Sequence, residues 1–276
     1  MKIFLPALSL FSALFLSPAT ASTLIVPAYG NTSAQFNGIL SAARQSSLIA
    51  VINPNDGAGG GTVGKTATFA KKIQASCILA AGYINTNYGR RSLDAIRGDI
   101  NKYRNAYGAK AIFLDEFSDS SADIGAYREI YNYAKSKGMK VIGNPGTSVP
   151  RGYADVTDVL ITYEDTFGAG FSRYKQKSWT KSYPKKKFGV IVNSTKDYQA
   201  VISKANSQHA EFVFATDGTE PSPYGKLPGY FDEQVSAVKG RGINAQAIPE
   251  PSSIGLLLAG FCAWAGLSRN RRKVLP

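Results

Sequence analysis

Eight short apolar runs recur along the chain: TLIVPAY from Thr23, SLIAVINP from Ser47, CILAAGYIN from Cys77, AIFLDE from Ala111, MKVIGNP from Met139, DVLITYED from Asp158, FGVIVNS from Phe188 and EFVFATD from Glu211. Runs of this length, rich in β-branched residues, read as strands buried on both faces. Helical patterns lie between them, and helices are expected over residues 33–45, 63–74, 92–106, 122–137, 168–180, 195–205 and 230–239, with a short one near Arg151. Strand and helix in strict alternation specify a parallel sheet. Eight such pairs in roughly 225 residues fit a single α/β domain of the (β/α)8 TIM-type barrel class, with a doubly wound open sheet as the alternative.

The flanks have a different composition. Residues 1–21 carry one lysine, an apolar stretch from Ile3 to Leu16 and the triplet Ala19-Thr20-Ala21, the order of parts in a cleavable secretory signal. Residues 248–276 run from Pro-Glu-Pro through an apolar stretch, Ile254 to Leu267, to a basic tail. That stretch is shorter than the ~20 residues of a relaxed spanning helix. The tail resembles the PEP-CTERM sorting signal, which implies an exosortase-type sorting enzyme as partner and transient inner-membrane association. Export to the periplasm, cell surface or extracellular matrix is the expectation, with residues 22–247 as the folded domain.

The formal charge is +13 for the whole chain. Setting aside Lys2, Arg269, Arg271, Arg272 and Lys273, and Glu250 on the acidic side, leaves +9 on the body. Part of the excess sits in RYKQKSWTKSYPKKK, from Arg173 to Lys187, which reads as a solvated helix and loop rather than a nucleic-acid surface. The single histidine, His209, precedes the eighth run and so belongs at the end of the barrel away from the active face, which argues against a serine triad or a histidine-rich zinc site. Cys77 and Cys262 provide no disulfide framework for the body. No metal site or cofactor is expected.

In a barrel, functional groups collect at the C-terminal strand ends. The runs finish at Tyr29, Asn53, Tyr83 with Asn85, Asp115 with Glu116, Asn144, Glu164 with Asp165, Asn193 and Asp217. Carboxylates among amides and tyrosines suit a sugar-binding mouth, and Asp115, Glu116 and Glu164 are the candidates for the two carboxyl groups that glycoside hydrolysis needs. Adjacent strand residues point to opposite faces, so Asp115 and Glu116 both face the mouth only if the strand end twists. A competing pattern, GGGTVGKT at residues 59–66, matches the phosphate-binding G-x-x-x-x-G-K-[ST] and would make AIFLDE a magnesium strand. Against that ATPase reading, six residues separate the pattern from Ile52, and an exported body meets little ATP.

Six ordered motifs, VPAY, VINPNDGAG, GYINTNYGRR, IFLDE, VIGNPGTSVP and PSPYGKLPGYFDEQV, resemble the spherulin-4 family, which includes fungal enzymes of glycoside hydrolase family 135. The resemblance implies a (β/α)8 barrel and endo-acting hydrolysis of a biofilm polysaccharide, galactosaminogalactan in the characterised fungal members. It places catalytic roles at Asp115, Glu116 and Glu164. Substrate contacts are expected at Tyr29, Asn53, Tyr83, Asn87, Tyr88, Arg90, Asn144 and Asp217. Substrate identity does not transfer with the fold, and a body of charge +9 suits a neutral or acidic polymer as well as a galactosamine-containing one. A catalytically inactive polysaccharide-binding or matrix protein is the alternative.

Overall fold

The structure is a computed structural model that describes residues 22–59, 64–76 and 78–238. The leader-like and tail-like flanks, Cys77 and residues 60–63 of the glycine-rich pattern lie outside the described residues. Eight parallel strands close into a barrel in chain order: β1 (Thr23–Ala28), β2 (Leu48–Ile52), β3 (Ile78–Asn85), β4 (Ala111–Asp115), β5 (Lys140–Gly143), β6 (Val159–Thr166), β7 (Phe188–Asn193) and β8 (Phe212–Ala215). Barrel strands are covered inside by one another's side chains and outside by helices, which is why they read as unbroken apolar runs. Every residue of β1, β2, β7 and β8 is buried. Pro27 lies in β1 beyond the two residues, Thr23 and Leu24, that pair with β8, so its missing N–H costs that ladder nothing.

Helices α1 (Ser33–Ala42), α2 (Gly64–Gln74), α3 (Leu93–Lys102), α4 (Ile124–Ser136), α5 (Tyr198–Ser207) and α6 (Phe231–Ala237) form the outer layer. Their starts follow the chemistry of N-terminal capping. The side chains of Thr32, Ser92 and Asp197 accept the N–H groups of Gln35, Ala95 and Ala200. The helix expected over 168–180 is absent. A wide turn (Phe167–Phe171) and a tight one (Ser178–Ser182) replace it. The helical spacing of its aromatics has another cause: Phe171 and Tyr174 both pack on Tyr163 of β6, with ring centroids 5.0 and 5.1 Å away.

One irregularity decides what β6 presents to the mouth. Leu160 and Ile161 pair with Phe188 and Gly189, but a register shift then sets Tyr163 against Val190 and Glu164 against Ile191. Ile191 shares its face of β7 with Asn193, two residues on, and Asn193 lines the mouth. Were the pairing regular through Thr162, Tyr163 would stand opposite Ile191. The bulge therefore turns Glu164 inward and sends the Tyr163 ring out to Phe171.

Candidate active site

A cavity of about 560 Å³ opens at the C-terminal ends of the strands. Asp115, Glu116, Asn144, Glu164 and Asn193 come from the ends of β4 to β7, Tyr29 from β1, and Glu220 to Tyr224 from the segment after β8. Asn144 is the hub. Its Nδ2 donates to Asp115 Oδ1 at 2.7 Å and also to Glu164 Oε2. Its Oδ1 accepts the Gly146 N–H at 3.2 Å, which fixes the amide so that the NH2 group faces the carboxylates. Gly146 has φ +62, a conformation suited to glycine, and its carbonyl accepts the Glu164 N–H at 3.0 Å. One tight loop therefore orients both the bridge and one of the acids it bridges.

The two faces predicted for Asp115 and Glu116 are reconciled by backbone rotation. Regular strand ends at Asp115, and Glu116 takes φ +46, so both side chains line the cavity. A left-handed non-glycine residue persists only when its surroundings hold it there. Three groups do so. Buried Thr86 donates from Oγ1 to the Glu116 carbonyl at 2.7 Å, with the Asp115 carbonyl at 3.0 Å, and the Tyr88 N–H reaches the Glu116 carbonyl at 2.7 Å. Behind them the Ser118 N–H donates to Tyr127 Oη at 2.9 Å, which lies 2.7 Å from Thr86 Oγ1. Because the Thr86 proton goes to the carbonyls, Tyr127 supplies the proton of that last bond. Thr86→Val should lower unfolding stability by about 1–3 kcal/mol, since it strands a buried hydroxyl and removes the clamp. Thr86→Ser should recover most of the loss, as read from the urea midpoint.

Burial dominates the electrostatics. Glu164 is pushed up to about 7, first by burial and next by the charge of Asp115, against hydrogen bonds from Tyr224 and Asn144. Asp115 is also raised by burial. Hydrogen bonds from Tyr83, Asn144 and the Glu116 N–H oppose that shift, and the Glu116 charge adds to it. Tyr29, Tyr83 and Tyr224 are all raised, by burial first, and remain protonated donors. The ring of Tyr29 meets those of Tyr83 and Tyr224 edge-on at 5.4 and 5.6 Å.

Of the substrate-contact residues expected from sequence, Tyr29, Tyr88 and Asn144 line the cavity, Tyr88 with 55 % of its surface exposed. Tyr83 is buried beneath the floor and serves Asp115. The other four do not line it. Asn53 closes its own loop, its Oδ1 accepting the Gly57 N–H at 2.9 Å and its carbonyl the Asn31 amide at 2.7 Å. Asn87 and Arg90 are exposed in a turn folded on itself through bonds from the Asn87 N–H to Asn85 Oδ1 and from the Arg90 N–H to the Asn87 carbonyl. Asp217 does not line the cavity either; its charge helps to raise the Tyr230 phenol. The ATPase reading also fails locally. Eleven residues (53–63) separate β2 from α2, the Thr66 hydroxyl is engaged by Asn31 at 3.0 Å, and Asp115 is tied to Asn144.

Tyr224 is the site residue that strand-end reasoning missed. Its hydroxyl donates to Glu164 Oε1 at 2.5 Å, and its carbonyl is held by Gln35 Nε2 at 3.1 Å. Gly30 permits the approach: a Cβ there would lie 2.0 Å from the Gly225 carbonyl oxygen. The motif PSPYG was visible in the sequence, but nothing in its spacing showed that the loop folds back over the mouth.

Fold and site together define a (β/α)8 barrel with bridged carboxylates on the floor of its C-terminal mouth and tyrosines in its wall. Residues 23–238 match the family described as Spherulation-specific family 4. The chain belongs to that family. It is 34 % identical over 232 residues to spherulin-4 of Physarum polycephalum, covering 78 % of this chain and 69 % of the relative. Among solved structures it resembles Aspergillus clavatus Sph3 in complex with GalNAc, with TM-score 0.70, 19 % identity and coverage of 79 % of this chain and 98 % of the other. A chitinase from Chromobacterium violaceum has TM-score 0.53 and 12 % identity, with coverage of 80 % and 100 %.

Proposed function

We propose that the protein is an exported glycoside hydrolase that cleaves within a matrix polysaccharide. The observation that carries this reading is the pair Asp115 and Glu164, joined through one amide nitrogen, with Glu164 poised near neutrality. A group with a pKa near the working pH is suited to donate a proton in one step and recover it in the next. Both oxygens of Glu164 meet donors, but the Asn144 N–H at Oε2 can only donate whereas the Tyr224 hydroxyl at Oε1 can also accept, so the proton of the neutral acid sits on Oε1. Glu164 is assigned as the acid that protonates the glycosidic oxygen, and Asp115 as the ionised partner that attacks the anomeric carbon. Water then releases the sugar, with Glu164 as base. Glu116, at the rim, is assigned to hold a sugar hydroxyl, and Tyr88 to stack on a ring face. The likeness to a barrel solved with GalNAc supports an amino sugar within the polymer.

Two hydrogen bonds to one nitrogen keep the nearer oxygens of Asp115 and Glu164 within about 6 Å. That spacing favours the double-displacement geometry, roughly 5 to 5.5 Å, over the wider inverting one. Purified protein incubated with exopolysaccharide from producing cells should release new reducing ends, and proton NMR should show the first-formed anomer to be that of the substrate linkage. Saturable polymer binding with no new reducing ends would replace the enzyme with a binding barrel.

A further inference from the structure

The barrel is electrically polar along its axis. The cavity at the mouth is lined by five carboxylates, Asp115, Glu116, Glu164, Asp165 and Glu220, and by no Lys, Arg or His. The opposite end, the base, where the chain enters each strand, carries the reverse charge. Arg44 and Lys110 stand exposed just ahead of β2 and β4, and three lysines at 185–187 lead into β7. Lys177 and Lys181 are exposed on a segment pinned to the base, since the Gln176 N–H reaches Gln208 at 3.1 Å and the Tyr183 carbonyl meets His209 at 2.8 Å. The last turns of α2 to α5 add further lysines, which the helix-end dipoles favour. No carboxylate occurs in the sequence between Asp165 and Asp197. Asp158 and Glu211 precede β6 and β8 at this end, and Asp158 is already held by Lys135 at 3.3 Å. No salt bridge among the described residues engages Arg44, Lys110, Lys177, Lys181 or Lys186.

The described chain begins at the base and ends beside β8 on the way back to it. The N–H of Thr23, at the start of β1, bonds the Glu211 carbonyl just ahead of β8, and α6 runs back from the mouth to finish at Ala237. Beyond lie the apolar stretches Ile3–Leu16 and Ile254–Leu267. Residues 239–253 can span at most about 50 Å, so a bilayer that takes up the second stretch lies within reach of the base. We propose that the base of the barrel docks on an anionic phospholipid surface and so holds the mouth away from it. Each surface cation adds to binding on an anionic leaflet, and the gain decays within a Debye length, so the effect requires contact and is removed by salt. This inference is independent of the glycosidase reading.

The test is flotation of the full chain with phosphatidylcholine vesicles and with vesicles containing roughly 30 % phosphatidylglycerol. Two variants are compared. One replaces Lys110, Lys177, Lys181 and Lys186 on the base by Gln; the other replaces Arg269, Arg271, Arg272 and Lys273 in the tail by Gln. The wild type should prefer the anionic vesicles, the base variant should lose that preference at least tenfold with its melting curve unchanged, and the tail variant should keep most of it. The proposal is overturned if the wild type shows no preference, or if the tail variant alone loses it. It is also overturned if alginate, an anionic polysaccharide, retains the chain while anionic vesicles do not.

Discussion

Glu164→Gln should abolish turnover and, above neutral pH, make the protein more stable. A general acid contributes typically 10²–10⁴ in rate, so release of reducing ends should fall by about three orders of magnitude. The stability effect follows from linkage. The folded pKa of Glu164, about 7, lies above its ordinary 4.5, so the ionised carboxylate is disfavoured in the fold. Stability from this group is complete below 4.5, declines as pH rises toward 7, and is lost above it. Gln cannot ionise. Its amide fits the same partners, with the oxygen toward Asn144 Nδ2 and the NH2 toward Tyr224 Oη, a hydroxyl that accepts as well as donates. At pH 8 the variant should therefore be more stable than the wild type by roughly 1–3 kcal/mol, and at pH 4 the two should agree. Denaturant titrations at both pH values measure this; a variant less stable at pH 8 would contradict the burial of an ionising Glu164.

Asn144→Ala should produce the second large effect. The bond from Asn144 lowers the pKa of both Asp115 and Glu164, so its loss raises both. The alkaline limb of the pH–rate profile, assigned to deprotonation of Glu164, should move to higher pH. The acidic limb, set by Asp115, should move the same way. Turnover at pH 6 should drop by about 10² as the attacking carboxylate takes up a proton and both side chains lose their common anchor. A uniform loss of rate with unmoved limbs would make Asn144 a packing residue only.

The fold was legible because a closed parallel barrel leaves a plain trace: strands covered on both faces become apolar runs, and the connecting helices take polar stretches of similar length. Asp115, Glu116 and Glu164 stood out because charge at the end of a buried run demands a use or a partner. Asn53, Asn87, Arg90 and Asp217, which do not line the cavity, are polar at strand ends, where backbone groups of the turn also need partners, and residue type alone does not distinguish the two uses. Conversely, Tyr224 reaches Glu164 across 60 residues of chain, a proximity set by Gly30 and Gln35 where β1 gives way to α1. The segment at 168–180 was misread because aromatics spaced three apart satisfy a bulged strand's outer face as well as a helix.

The extra residue in β6 makes the chemistry of the floor depend on counting. An ordinary substitution changes what occupies a seat, whereas flattening the bulge with every residue kept would change which residue sits there. Thr162 would then pair with Val190 and Tyr163 with Ile191, while Ile161 stayed opposite Gly189. The barrel would still close, now with a phenol where the acid had been. Deleting Thr162 would instead leave Tyr163 opposite Val190 and Glu164 opposite Ile191, with the strand now regular. Register, as much as identity, guards the reaction at that strand.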